Sequence, residues 1–240
     1  MGFKSGATIT ALMSAAALFA LSANELAAAE LAPYQARYIV ERGGSDYGEA
    51  SRELSRDAEG VYQLYTETEI SWLFISDRRR LWSEFSLADA RVSSHSFRYK
   101  RSGTGKDRSF AVEIDHDNAQ LLDPQTHEPM NVSYEVGAID EASLLEQLRY
   151  DVSQNDATEL SYRVLDEKGR IETQKFAIQG QEQLALPYAE IEAIKVARVR
   201  ENSSRETYFW FAPSLNYVMV QMHQRKDGDE VATLRLQQMN

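Results

Sequence analysis

The sequence has no cysteine. Disulfides, thiolate metal sites, cysteine nucleophiles and a lipid-modified N-terminal cysteine are therefore excluded. Histidine is scarce, with 4 in 240 residues. His95, His116, His127 and His223 include no pair at helical i, i+4 or strand i, i+2 spacing, so neither a metal site nor a cofactor is expected. The cluster Asp115-His116-Asp117 precedes Asn118 and reads as a turn. Positive charge is in deficit: 26 Lys+Arg against 37 Asp+Glu gives a net charge of −11. Phosphate contacts need a surplus of cations, so nucleic acid is not an expected partner. Gly-x-Ser-x-Gly is missing. Gly103-Thr104-Gly105-Lys106 lacks the phosphate-loop frame and is followed by Asp107, which makes it a hairpin tip. Beyond residue 29 apolar runs such as Trp72-Leu73-Phe74-Ile75 are too short for a membrane span.

The N-terminus has a distinct pattern. Lys4 supplies a positive charge, an Ala/Leu-rich stretch runs from Ala7 to Ala23, and Ala27-Ala28-Ala29 offers small residues before Glu30. These are the three parts of a secretory signal peptide. Residues 1–29 are expected to be cleaved and 30–240 to form one β-rich domain, soluble and exported to a periplasm.

The remaining chain is dominated by a period of two. Tyr34, Ala36, Tyr38 and Val40 alternate with polar residues. So do Tyr62, Leu64, Thr66, Thr68, Ile70 and Trp72, then Phe97 and Tyr99, then Phe110, Val112 and Ile114. Leu160, Tyr162 and Val164 continue the series, as do Val218, Val220 and Met222. Such alternation describes strands with one apolar face. Asp57-Ala58-Glu59-Gly60, Asp166-Glu167-Lys168-Gly169 and Asp227-Gly228 read as hairpin turns. One helix is expected, capped by Asp140, with Glu141 in its first turn and an apolar stripe of Leu144, Leu148 and Val152. Ten or more strands cannot remain flat. The expected fold is mainly β: a single large, curved antiparallel sheet or incomplete barrel, with the helix packed on or across it.

The chemistry is less sharply marked. Trp72, Phe74, Trp82, Phe97, Tyr99 and Trp210 are candidate residues for an apolar ligand wall. Arg78, Arg79, Arg80, Lys100, Arg101 and Lys106 form basic clusters in an acidic chain and are candidates for an anion-binding rim. Apolar surface beside a cationic rim suits an acyl chain and its phosphate head together. The first expectation is thus a non-enzymatic protein that binds an apolar or amphipathic envelope ligand, such as a lipid or lipidated component. An assembly factor that meets an envelope protein through a sheet edge and its basic patch is the second. A carboxylate hydrolase of envelope glycan or lipid, using Glu67 and Glu69 on one strand face, is the third. Ser93-Ser94-His95-Ser96 is not read as a dyad, because strand neighbours face opposite ways.

Three segments together resemble the bacterial family catalogued as domain of unknown function 3108. They are Leu31-Ala32-Pro33-Tyr34-Gln35-Ala36-Arg37-Tyr38, Ile139-Asp140-Glu141-Ala142-Ser143-Leu144-Leu145, and Tyr208-Phe209-Trp210-Phe211-Ala212-Pro213-Ser214-Leu215-Asn216-Tyr217, with Asp227-Gly228 and Leu234 following. The resemblance implies an exported β-rich envelope protein and supplies no catalytic residue. The expected shape is also similar to that of the periplasmic lipoprotein carriers, an analogy of architecture that does not fix function.

Overall fold

A computed structural model of the chain describes residue 2 and residues 30–72, 74–154 and 157–240, without the side chains of Trp72 and Ile75. Apart from residue 2, the expected leader lies outside the described residues, as does Leu73.

The elements are β1 (Tyr34–Arg42), β2 (Ser45–Arg56), β3 (Tyr62–Trp72), β4 (Ile75–Ala88), β5 (Arg91–Gly103), β6 (Arg108–Asp115), β7 (Gln120–Leu122), β8 (Ile139–Asp140), α1 (Leu144–Gln154), β9 (Glu159–Leu165), β10 (Ile171–Ala185), β11 (Glu190–Val199), β12 (Arg205–Ala212), β13 (Val218–Lys226) and β14 (Asp229–Met239). They form one 14-stranded sheet in the order β7-β6-β5-β4-β3-β2-β1-β14-β13-β12-β11-β10-β9-β8. The first and last strands pair at its centre, Ala36 against Met239 and Val40 against Leu234. No ladder joins β7 to β8, so the barrel is incomplete.

The hairpin turns form where the sequence places them. Gly60 and Gly169 take positive φ and donate to the carbonyls of Asp57 and Asp166 at 3.2 and 3.0 Å. Asp227 and Gly228 both have positive φ, as a tight Asp-Gly hairpin requires. One expectation needs correcting, because the sheet is not wholly antiparallel: β8 runs parallel to β9. The chain crosses from one edge of the sheet to the other after β7, and α1 then connects two parallel strands, a geometry that a tight hairpin cannot supply.

Alternation along the strands defines an inner and an outer face. Tyr38, Leu54, Tyr62, Phe85, Phe97, Phe176, Phe211 and Leu236 are buried side chains. Full burial of a large apolar side chain stabilises by about 1.5–3 kcal/mol. Tyr62 stacks on Phe85 with ring centroids 5.2 Å apart.

Helix α1 occupies the hollow rather than lying across it. Leu144, Leu148 and Val152 are buried as the stripe predicts, but so are Glu146, Gln147, Arg149 and Tyr150. A single stripe suits a helix on a surface; this one is surrounded by sheet and needs polar partners on its other sides. Asp140 caps the turn that leads into it, accepting the N–H groups of Ala142 and Ser143 at 2.9 and 3.0 Å. Because α1 starts only at Leu144, the expected first-turn acid Glu141 lies ahead of the helix. The second carboxylate oxygen of Asp140 accepts the hydroxyls of Ser83, Ser94 and Ser143, each at 2.7 Å. Ser83 and Ser94 belong to β4 and β5, so this carboxylate draws the β8 edge against the opposite half of the sheet.

Candidate functional site

The two ends of the hollow differ. At one end, side chains of α1 meet the sheet in a buried ionic network. Arg52 donates to Glu146 at 2.9 Å and to Tyr34 Oη at 3.2 Å. Tyr34 donates to the same glutamate at 2.7 Å, and Arg149 reaches its other oxygen at 3.2 Å. Arg149 also donates to the carbonyls of Asn216 and Ala32 at 2.8 and 3.0 Å. Burial pushes the Tyr34 hydroxyl pKa far up, while the two guanidiniums overcome burial and hold the Glu146 carboxyl below its usual range. The network joins β1, β2, α1 and the β12–β13 connection, and plugs this end.

The other end carries the β1–β2, β3–β4, β5–β6, β11–β12 and β13–β14 turns. Register fixes which side chains point inward there. Thr66 faces Arg52 and Leu81 across the ladders, Phe209 faces Val196 and Met222, and Leu234 faces Met222. Thr66, Thr68, Ile70, Leu81, Phe209, Met222, Ala232 and Leu234 are nevertheless only half-buried. Inward-pointing apolar residues that remain partly exposed mark an open mouth. Arg79 and Arg101 stand opposite each other on the inner face of its rim, and both donate to Asp77, at 2.8 and 3.0 Å. Across the hollow the rim holds Arg198, Arg200 and Arg205.

Period-two geometry separates the sequence-predicted rim. Arg78 and Arg80 point outward with Lys100, whereas Arg79 and Arg101 point inward. Glu67 and Glu69 lie beside Arg80 and Arg78. Arg78 is ion-paired with Glu67, and with Glu69 at 3.6 Å, while Arg80 lies 3.7 Å from Glu67. The hydrogen bond from Arg78 lowers the Glu67 pKa despite desolvation. Lys106 is exposed near the β5–β6 turn.

The predicted wall residues are separated too. Phe97 and Tyr99 are buried on the inner face. Trp82 is on the outer face, with the Arg98 guanidinium 4.2 Å over its ring and Tyr65 at 5.4 Å. It lines a surface groove of about 510 Å³ with Glu53, Glu84 and Glu113. Trp210 is buried on the outer side, donating to Glu182 at 2.9 Å beneath the Lys195 ammonium. Phe74 is 95% exposed at the β3–β4 turn. The side chain of Trp72 lies outside the described part.

Residues absent from the sequence reading carry both ends of the hollow. Arg52 interrupts the apolar series Ala50, Leu54 on β2, a signal of a buried partner. Arg198 and Arg200 alternate on one strand face with no acid between them on that face.

The sequence model of the family described as protein of unknown function (DUF3108) matches residues 34–235. The chain belongs to this family. Membership agrees with the resemblance read from the three segments and assigns no activity. The solved beta-barrel-like protein of domain of unknown function DUF1849 from Brucella abortus is similar in fold. At 10% identity the TM-score is 0.57, over 88% of this chain and 98% of that one. MucB gives 9% identity and a TM-score of 0.33 over 87% of this chain and 52% of its own. MucB in complex with MucA(peri) gives 10% and 0.16 over 85% and 87%. At those scores neither MucB structure bears on function. No curated protein matches the chain. No described helix is long and apolar enough to cross a membrane.

Proposed function

We propose that this DUF3108 protein is an exported, non-enzymatic protein of the bacterial cell envelope that binds an amphipathic ligand at the open end of its barrel-like sheet. The observation that carries the reading is the half-exposed inner row of Leu81, Phe209, Met222 and Leu234 at the end that α1 leaves unfilled. Those side chains offer apolar contact, and the arginines around them offer the rim that a polar head requires. The signal-peptide pattern of residues 1–29 supports export to the periplasm. The plugged half of the hollow is not the binding space in this reading.

Displacement of a fluorescent acyl probe tests it. The wild-type protein binds the probe, and Met222→Glu lowers the affinity at least tenfold, because a carboxylate inside an apolar mouth repels an acyl chain. Trp82→Ala, on the outer face, leaves it unchanged. No probe binding, or binding that ignores Met222, overturns the reading. A second reading, an envelope protein partner docked on the outer surface, draws support from the groove around Trp82 and the exposed Phe74. Crosslinks in cells to protein at the groove, with none to lipid at the mouth, favour that reading. A hydrolase built on Glu67 has little support, since its arginine partner holds the carboxyl ionised where a general acid needs a raised pKa.

A further inference from the structure

Three arginines at the open end are held in no ion pair among the described residues. Arg198 lies on β11 and Arg200 just past its end, two residues on and so on the same face where the extended backbone continues. Ala197 faces Tyr208 in the β11–β12 ladder, and continuing that register brings Thr207 beside Arg198 and Arg205 beside Arg200. Arg200 donates to Thr207 Oγ1 at 3.1 Å and to the Arg205 carbonyl at 3.3 Å. Arg205 donates to Gln224 Oε1 at 3.1 Å, and Gln224 Nε2 donates to Thr207 at 3.3 Å. Only neutral acceptors therefore orient the Arg200 and Arg205 guanidiniums among the described residues.

Among the described residues none of the three forms an ion pair. The neighbouring acids are engaged elsewhere: Glu172 lies 3.5 Å from Arg170, and Glu201 lies 3.3 Å from Lys175. Arg78, Arg79, Arg80 and Arg101 at the same end all have carboxylate partners. Burial, then repulsion from Arg198 and Arg205, pulls the Arg200 pKa down to about 10. Burial also lowers Arg198, against the attraction of Glu172 and with repulsion from Arg205. A hollow of about 370 Å³ opens here, lined by Arg198, Arg200, Lys175, Gln174 and Ser203 together with the carboxylates Glu172 and Glu201, and Arg205 stands outside this lining.

We infer that Arg198, Arg200 and Arg205 form a binding site for a phosphate-type oxyanion. Guanidinium forks match phosphate oxygens bidentately, and a phosphomonoester, at about −1.5 to −2, offsets more of three positive charges than a carboxylate does. The inference rests on the open-end reading and names the head group of its ligand. The same chemistry has two sources, a phospholipid head or a soluble phosphate ester.

The experiment uses the full exported chain. Co-sedimentation compares phosphatidylcholine vesicles with and without phosphatidic acid; calorimetric titration and thermal shift use inorganic phosphate and glycerol 3-phosphate. For a lipid source, phosphatidic acid raises wild-type binding at least tenfold. Arg198→Gln/Arg200→Gln removes that gain, and Arg225→Gln, a control near the same end, retains it. Arg198→Lys/Arg200→Lys keeps charge without the fork and shows an intermediate gain. For a soluble source, the esters bind and raise the melting temperature of the wild type but not of the Gln variant, and phosphatidic acid adds nothing. The thermal shift needs only the wild type, so a Gln variant that fails to fold does not stall the test. An unchanged phosphatidic acid gain in the Gln variant overturns the anion site. So does wild-type indifference to every phosphate; if the acyl probe still binds, the open-end reading stands without it. If the probe fails as well, both fall.

Discussion

Replacing Glu146 with Gln isolates the physics of the plugged end. The side chains of Arg52, Glu146 and Arg149 are only 7, 2 and 4% exposed. Gln keeps the shape but removes the charge and turns one acceptor oxygen into an N–H₂ donor. That donor then faces a guanidinium or the Tyr34 hydroxyl, which are donors themselves. Two buried cations lose the only carboxylate that pairs with them among the described residues. Breaking a buried pair by removing one partner costs about 3–5 kcal/mol. For a domain of this size each kcal/mol shifts the melting temperature by about 2–4 °C, giving a drop of roughly 6–20 °C. Urea unfolding followed by tryptophan fluorescence reads the free energy, and a calorimetric scan reads the midpoint. The triple variant Arg52→Met/Glu146→Met/Arg149→Met removes all three charges and should lie closer to wild type than E146Q alone, because no unpaired charge remains. E146Q within about 1 kcal/mol of wild type would refute the idea that this network is dry and mutually dependent.

Two further outcomes follow from single positions. Glu141 is pushed up to about 8 by burial and then by Glu167, Asp166 and Asp140, so it is neutral at pH 7 and hydrogen-bonded to Glu167 rather than serving as an ionised dipole partner. A carboxyl with a raised folded pKa binds its proton in the folded state after the unfolded chain has released it. Stability therefore falls as pH rises from about 4.5 to about 8, by at most about 1.4 kcal/mol per pH unit from this group, and levels off above. Glu141→Gln should flatten that slope in urea melts taken across the range; an unaltered slope sinks the assignment. At Gly48, φ is +155° and an added Cβ would stand 2.0 Å from the Glu69 carbonyl oxygen. Gly48→Ala should thus cost about 1–3 kcal/mol and loosen the β2–β3 pairing, read as faster amide exchange along β3; unaltered stability contradicts the close backbone approach.

Much of the fold was legible because a half-buried strand writes its two faces into alternate residues. Tyr34, Ala36, Tyr38 and Val40 were read inward, and all are buried. Asp140 was legible as a capping carboxylate before an apolar stripe, although the N–H groups it satisfies belong to the turn ahead of α1. The same rule, applied to charge, would have divided Arg78, Arg79 and Arg80 between two faces; reading them as one rim ignored the pleat. Trp210 repeats the lesson: Phe209 and Phe211 point inward on β12, so Trp210 between them points outward, and the register slip beside it inserts Val220 on β13 rather than a residue of β12. The burial of Glu146, Gln147 and Arg149 was not legible from α1 itself, since their partners lie far away in the chain at Arg52, Ala90 and Ala32.

The same partners decide which part of the hollow is available to a ligand. Seating an acyl chain in the α1 half would require the helix to leave, breaking the bonds from Arg52, Tyr34 and Arg149 to Glu146, the one from Gln147 to the Ala90 carbonyl and the one that Gln147 accepts from the Val92 N–H. Hydrogen bonds to charged groups contribute about 1.5–3 kcal/mol each. The three on Glu146 alone rival the apolar gain from a few buried methylenes, at about 0.8 kcal/mol each. Asp140 adds to that barrier, because displacing it from Ser83 and Ser94 strands a buried carboxylate and its hydroxyls. At the opposite end, contact with Leu81, Phe209 and Met222 breaks none of these bonds. In the proposed reading, a ligand that gains apolar contact without unmaking a buried ionic network would bind there, with the helix as the fixed floor of the site.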